Sequence, residues 1–79
     1  MGKEMPLAAL RPGEKAIVAA LPNARPHLAR LLAFGILPGT AVEVLQTFPV
    51  YVVAIGHTRL AIDKEIASTV LVDRSGAGR

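Results

Sequence analysis

Residues 28–39, which read LARLLAFGILPG, constrain the fold more than any other stretch of this sequence. Three of its leucines recur at i, i+3 and i+4, the spacing of one helix face, while Arg30 falls on the opposite face. Gly35 follows the last helical position, where a left-handed C-cap is usually glycine. Pro38-Gly39 is typical of a tight turn. The stretch therefore predicts a helix that ends abruptly and leads into a different kind of structure.

The helix is predicted over roughly residues 24–34. Asn23 can cap its first turn, and Pro26, three residues further on, is tolerated there. Leu28, Leu31 and Leu32 are expected to face the core.

Segments of strand length lie on both sides of this helix. They are residues 15–21, 40–48, 50–55, 59–62 and 69–72. Apolar residues recur at every second position in most of them, which places Val42, Val44 and Phe48 on the inner face of the second. Asp63 can cap a single helical turn at residues 64–67. A mainly β chain with about five short strands is expected to curl into a small barrel, since closure removes exposed edges.

The composition favours one small aliphatic domain. Of the 79 residues, 52% are hydrophobic and only 4% aromatic, so valine, leucine, isoleucine and alanine must form the core. We expect residues 5–73 to fold as a single domain and residues 74–79, which include Ser-Gly-Ala-Gly, to form a flexible tail.

The sequence also indicates the cellular compartment of the protein. No stretch approaches the roughly 18 apolar residues of a membrane span, and the first residues lack the apolar region of a secretory signal. The absence of cysteine fits a reducing compartment. We therefore expect a cytoplasmic protein that does not insert into the membrane.

Side chains that could bind a metal are few and widely spaced. The candidates are His27, His57, Glu43, Asp63 and Glu65. None of them forms an HxxxH or HExxH pattern, so we interpret both histidines as ordinary surface residues. Ser68 could be named with His57 and Asp63 as a catalytic triad, but no nucleophile-elbow pattern surrounds it. We predict no catalytic, metal or cofactor site.

Binding of nucleic acid is a rival role, because the net charge is +3 and small barrels bind RNA and DNA. The basic residues that could group are Arg11, Lys15, Arg25, Arg30 and Arg59. Stacking of bases also requires exposed aromatic rings, and the chain has only three. We therefore favour a protein partner over nucleic acid.

Two surfaces could contact a protein. The first is the side of the helix with Arg30 and Phe34, unless Phe34 tucks against the rim of the barrel. The second is a row of apolar side chains on the expected outer face of two adjacent strands, through which we also expect self-association. It comprises Leu45, Tyr51, Val53 and Ile55. Two alternatives remain. A shift of the strand register by one residue would turn this row toward the core, or the N-terminal segment would pack over it.

Four motifs together resemble the FeoA family of bacterial ferrous iron transport. They are Leu10-x-Pro12-Gly13-Glu14, Leu31-Leu32-x-x-Gly35-Ile36-x-Pro38-Gly39, Gly56 before Leu60-Ala61-Ile62, and Ala67-x-x-Val70-x-Val72. They span nearly the whole chain and consist mainly of glycine, proline and aliphatic positions. A similar domain occurs at the C-terminus of iron-dependent repressors of the DtxR type.

The resemblance implies an SH3-like β-barrel with one α-helix inserted after the first strand. It implies a small accessory protein that contacts FeoB, the membrane iron transporter with a cytoplasmic GTPase domain, and modulates its activity. It also raises the question of transition-metal binding. The alternative is a regulatory domain of an iron-dependent transcription regulator.

Overall fold

Six antiparallel strands form one curved sheet in a computed structural model of the chain, which describes residues 4–23 and 25–74. The strands are β1 (Glu4–Pro6), β2 (Lys15–Ala20), β3 (Ala41–Gln46), β4 (Tyr51–Ile55), β5 (Thr58–Ile62) and β6 (Leu71–Asp73), arranged as β1-β6-β2-β3-β4-β5. The helices are α1 (Arg25–Ala33) and α2 (Lys64–Thr69), and a 3₁₀ turn covers Leu7–Ala9. The predicted mainly β class is confirmed.

The barrel differs from the prediction in two respects. It has a sixth strand, β1, which the sequence patterns did not reveal because a three-residue strand is too short to show alternation. It is also open: within the described part of the chain, β1 pairs only with β6 and β5 only with β4. The sheet therefore keeps two edges.

Two Pro-Gly turns organise the centre of the sheet. The chain reads PGEKAIV into β2 and PGTAVEV into β3. Gly13 and Gly39 adopt positive φ angles of 92° and 93°, which the third position of a type II turn requires. Each glycine donates its N–H across the sheet at 2.7 Å, Gly13 to the carbonyl of Val44 and Gly39 to that of Val18. The two turns thus hold opposite ends of the β2–β3 ladder in the same way.

The core lies inside the curved sheet and is aliphatic, as the composition predicts. Its largest fully buried side chains are Leu7, Leu31, Ile36, Val18, Val44, Val53, Val70 and Val72. No charged side chain is buried among the described residues. The short helix α2 contributes two buried side chains to this core, Ile66 and Ala67. Asp63 caps this helix as predicted, because its Oδ1 accepts the N–H of Ile66 at 2.8 Å.

The two faces of β4 are exchanged relative to the prediction. Tyr51 is 8% exposed and Val53 0%, so the row predicted to be outside is inside. Paired residues of adjacent strands share a face, and Val53 pairs with Val44, which is also fully buried. The register shifts by one residue between Val44 and Gln46. Alternation could not predict this, since both rows of β4 are apolar.

Three other residues lie elsewhere than predicted. Phe48 is 85% exposed rather than internal, because β3 ends at Gln46 and leaves Phe48 in the β3–β4 turn. Leu32 is 44% exposed rather than in the core. Arg74 was assigned to the tail, but its Nη1 lies 2.9 Å from Oε2 of Glu14. Residues 75–79 of the predicted tail fall outside the described part of the chain.

In the described ranges, no helix has the length and apolar character needed to cross a lipid bilayer.

Candidate protein-binding surface

The C-terminal end of α1 is built from local hydrogen bonds. Ile36 donates its N–H to the carbonyl of Leu31 at 2.9 Å, and Gly35 donates to Leu32 at 3.0 Å. Gly35 has a φ of 84°. These are the two bonds and the left-handed residue of a Schellman cap, which often carries a hydrophobic contact between the residues here at 31 and 36. Both side chains are 1% exposed, so this contact anchors α1 to the core.

The residues just around this anchor are exposed. Phe34 is 42%, Leu32 44% and Leu37 48% exposed, although all three are large and apolar. Arg30 is also exposed and lies four residues before Phe34, on the same side of the helix. The structure thus leaves Arg30 and Phe34 accessible, as the predicted contact requires. That they bind a partner stays a prediction.

A shallow groove of about 370 Å³ follows the other flank of α1. It is lined by Asn23, Arg25, Leu28, Ala29 and Leu32. Residues 25, 29 and 32 share one side of a helix, so the groove presents an apolar floor with a basic side chain at its N-terminal end. We call the exposed Arg25, Arg30, Leu32, Phe34 and Leu37 the α1 surface.

The charge of the α1 surface has one sign. The sequence contains no Asp or Glu from residue 15 to residue 42. Arg25 and Arg30 are therefore not neutralised by an acidic side chain of α1 or of the turns that flank it. A partner that covers the α1 surface must supply apolar contacts and is favoured if it is acidic.

The second predicted surface does not form. Tyr51 and Val53 are buried, and Leu45 and Ile55 are only half exposed. Tyr51 also donates its hydroxyl to the carbonyl of Ala8 at 3.0 Å, which ties β4 to the 3₁₀ turn. The prediction that this row is an exposed interface is wrong, and so is self-association through it.

Besides Leu32, two exposed apolar residues in turns were missed by sequence reasoning. Phe48 and Leu37 each directly precede a proline in a turn. The residue before proline is biased to extended backbone, and in a turn its side chain has no neighbouring strand to pack against. At both positions the turn, which the proline marks in the sequence, takes the side chain out of the sheet.

The candidate metal ligands are not brought together. Within residues 4–23 and 25–74, no three side chains of the metal-binding types form a group that could hold an ion. His57 is exposed in the turn between β4 and β5. His27 is half-buried on α1, and its Nδ1 is buried without a hydrogen-bond partner.

The basic residues proposed to bind nucleic acid are exposed, but on the sheet an acidic side chain separates them. Lys15 pairs with Glu43 across the β2–β3 ladder, and Arg59 lies on the same row beyond Ala54. An acidic side chain thus sits between the two cations. Tyr51 is buried, so it offers no ring for stacking on this sheet.

Comparison with known proteins gives a consistent family. The family model described as the FeoA domain matches residues 5–74. A crystal structure of an iron uptake regulatory protein (FeoA) is 30% identical, with a TM-score of 0.81 over 89% of this chain and 95% of the other. Iron(II) transport protein A from Clostridium thermocellum is 28% identical, with a TM-score of 0.83 over 91% of this chain and 46% of the other.

The same fold occurs in larger proteins. A manganese-dependent transcriptional repressor is 23% identical, with a TM-score of 0.85 over 94% of this chain and 43% of the repressor. This likeness shows the fold alone, and the chain spans less than half of the repressor's length. No curated protein matches the sequence.

Proposed function

We propose, because this chain belongs to the FeoA domain family, that it is an accessory protein of bacterial ferrous iron transport that contacts FeoB and modulates its activity. The observation that carries the proposal is the match of residues 5–74 to the FeoA domain. It is supported by 30% identity to an iron uptake regulatory protein (FeoA) across nearly the full length of both chains. We place the protein in the cytoplasm, on the side of the FeoB GTPase domain.

The proposed mode of action is protein–protein contact, without catalysis. The α1 surface is the part of the molecule best suited to it. Phe34 and Arg30 are exposed on one flank of α1, Leu32 and Arg25 on the other, and aromatic and arginine side chains contribute most to binding at protein interfaces. The rigid cap at Gly35 holds this area in one orientation, which lowers the entropy lost on binding.

A titration with the cytoplasmic domain of FeoB tests the proposal. We expect saturable binding, followed by calorimetry or by NMR shifts of the α1 surface, with and without guanine nucleotide. Absence of binding at high micromolar concentration in every nucleotide state would contradict the proposal.

Nucleic-acid binding can be tested in parallel. An electrophoretic mobility shift with generic RNA or DNA that weakens steeply with salt would favour this rival role, because release of counterions from phosphates governs such binding. We expect no shift at physiological salt, because Glu43 lies between the basic residues of the sheet.

A further inference from the structure

The two edges of the open sheet differ in how well they are protected. β1 has only three residues and contains Pro6, and short strands and proline are the usual ways to block an edge. β5 has five residues and no proline, and it pairs with β4 in one uninterrupted register. In the described part of the chain, no backbone hydrogen bond reaches β5 from the side away from β4. An edge of this kind is a template for another strand.

The register identifies which backbone groups face outward from β5. Gly56 and His57 form a two-residue hairpin turn, and Ile55 pairs with Thr58 across it. In an antiparallel ladder, hydrogen-bonded and non-hydrogen-bonded pairs alternate from the turn. Thr58, Leu60 and Ile62 therefore bond to β4. Arg59 and Ala61 direct their N–H and C=O groups to the open side, and both are exposed.

We propose that β5 pairs antiparallel with β5 of a second copy of this chain, around a twofold axis at Leu60. Arg59 then lies opposite Ala61 of the second copy, and Ala61 opposite Arg59. Both positions carry outward-facing backbone groups, so each pair exchanges two N–H···O=C bonds. The two half-buried Leu60 side chains face each other on the core side and cover the area that each leaves open.

The single charge in β5, on Arg59, excludes one neighbouring register. Like charges placed directly opposite each other destabilise a strand pair. Centring the pair on Leu60 sets each arginine against an alanine, whereas a shift by one residue toward the turn sets Arg59 against Arg59. Two copies of this edge can therefore pair without like charges directly opposite each other, and each Leu60 then covers the other. The inference uses β5 alone and does not rest on the proposed role in iron transport.

The dimer is expected to be weak. Two five-residue strands bury less area than the roughly 1,200 Å² of a small specific interface, so association should be visible only above about 100 µM. Sedimentation equilibrium should then show the mean mass rising from the 8.3 kDa of one chain toward twice that value. In the same range, amide hydrogen exchange should slow at Arg59 and Ala61, and not at the other residues of β5.

Substitutions at Ala61 test the register. Ala61→Glu sets a carboxylate opposite Arg59 of the second copy, and Ala61→Lys sets a second cation there. Because the contact occurs twice per dimer, we expect about two- to tenfold tighter association for Ala61→Glu and a similar weakening for Ala61→Lys. Ala61→Gln is the uncharged control and should stay near the wild type. All three keep the N–H group and point to solvent, so folding should be unaffected.

Three results would overturn the inference. One is a chain that is still monomeric at about 1 mM. Another is a dimer whose affinity does not depend on the sign of the charge at position 61. The third is a dimer in which exchange at Arg59 and Ala61 does not slow; association would then use another surface, such as the α1 surface.

Discussion

Leu31 and Leu32 have the same side chain and adjoin each other in the sequence, yet one is 1% and the other 44% exposed. Consecutive residues of a helix point in directions about 100° apart, so only one of the two leucines faces the core. At the residue scale, most of the attachment of α1 therefore depends on Leu31 and its contact with Ile36.

Leu31→Ala should lower the free energy of unfolding by about 2–5 kcal/mol, because it removes buried methyl groups and leaves a cavity. Leu32→Ala is the matched control and should cost less than about 1 kcal/mol, since nearly half of that side chain is already in water. Urea denaturation of both variants measures the difference. Equal losses would show that α1 does not attach to the core through Leu31.

Gly35→Ala tests the cap of α1. An added Cβ would meet nothing within 4 Å, so its cost comes only from the φ of 84°. A non-glycine residue in this region costs about 1–2 kcal/mol. Gly35→Asn should cost less, because asparagine tolerates left-handed backbone. Chemical denaturation provides both values, and a loss in Gly35→Ala no larger than in Gly35→Asn would argue against the Schellman cap.

At the scale of elements, the two helices are fastened in different ways. α1 is held at its C-terminal end by the cap at Gly35, whereas α2 is held at its N-terminal end by Asp63. α2 has only six residues and would not form alone. Its stability comes from the burial of Ile66 and Ala67 and from this side-chain cap.

Asp63→Ala should destabilise the protein by about 1 kcal/mol, because the N–H of Ile66 loses its acceptor. Asp63→Asn keeps an oxygen in the same place and should lose much less. Amide exchange at Ile66 should quicken in the alanine variant and remain slow in the asparagine variant. An unchanged exchange rate in Asp63→Ala would mean that the cap contributes little to α2.

At the scale of the whole molecule, apolar side chains are exposed at both ends of β3. Leu37 lies just before β3, where its N–H donates to Oγ1 of Thr40, with Phe34 three residues earlier in the sequence, and Phe48 lies beyond the last residue of β3. β3 has six residues, so the two apolar sites are separated by about 20 Å of strand. A partner the size of a small peptide would cover only one of these two apolar sites, and substitutions at each site show which one it contacts.

Phe34→Ala should weaken binding to the cytoplasmic domain of FeoB about tenfold, the effect of losing an aromatic anchor. Arg30→Glu should weaken it as well, through reversed charge beside that anchor. Phe48→Ala is the control: its ring is the more exposed of the two, but it lies outside the α1 surface. Calorimetric titration compares the variants. Weaker binding in Phe48→Ala alone would move the contact to the β3–β4 turn.

The sequence alone determined the features that depend on local backbone chemistry. The helix ends at Gly35, the chain turns at Pro38-Gly39 and Asp63 caps α2, because each requires only a residue that suits one backbone conformation. The aliphatic core positions Val42 and Val44 also followed from alternation, since their neighbours are more polar. The α1 surface was half predicted: Arg30 and Phe34 were expected, but Leu32 was not.

Only the tertiary structure decided the orientation of β4, the sixth strand and the open edge at β5. Both rows of β4 are apolar, so alternation carries no information, and the pairing of Val53 with Val44 selects the inner face. A three-residue β1 exists because β6 is there to pair with it. Whether a barrel closes depends on the distance between its first and last strands. That distance results from the twist of every strand and the geometry of every turn between them, so no single stretch of sequence determines it.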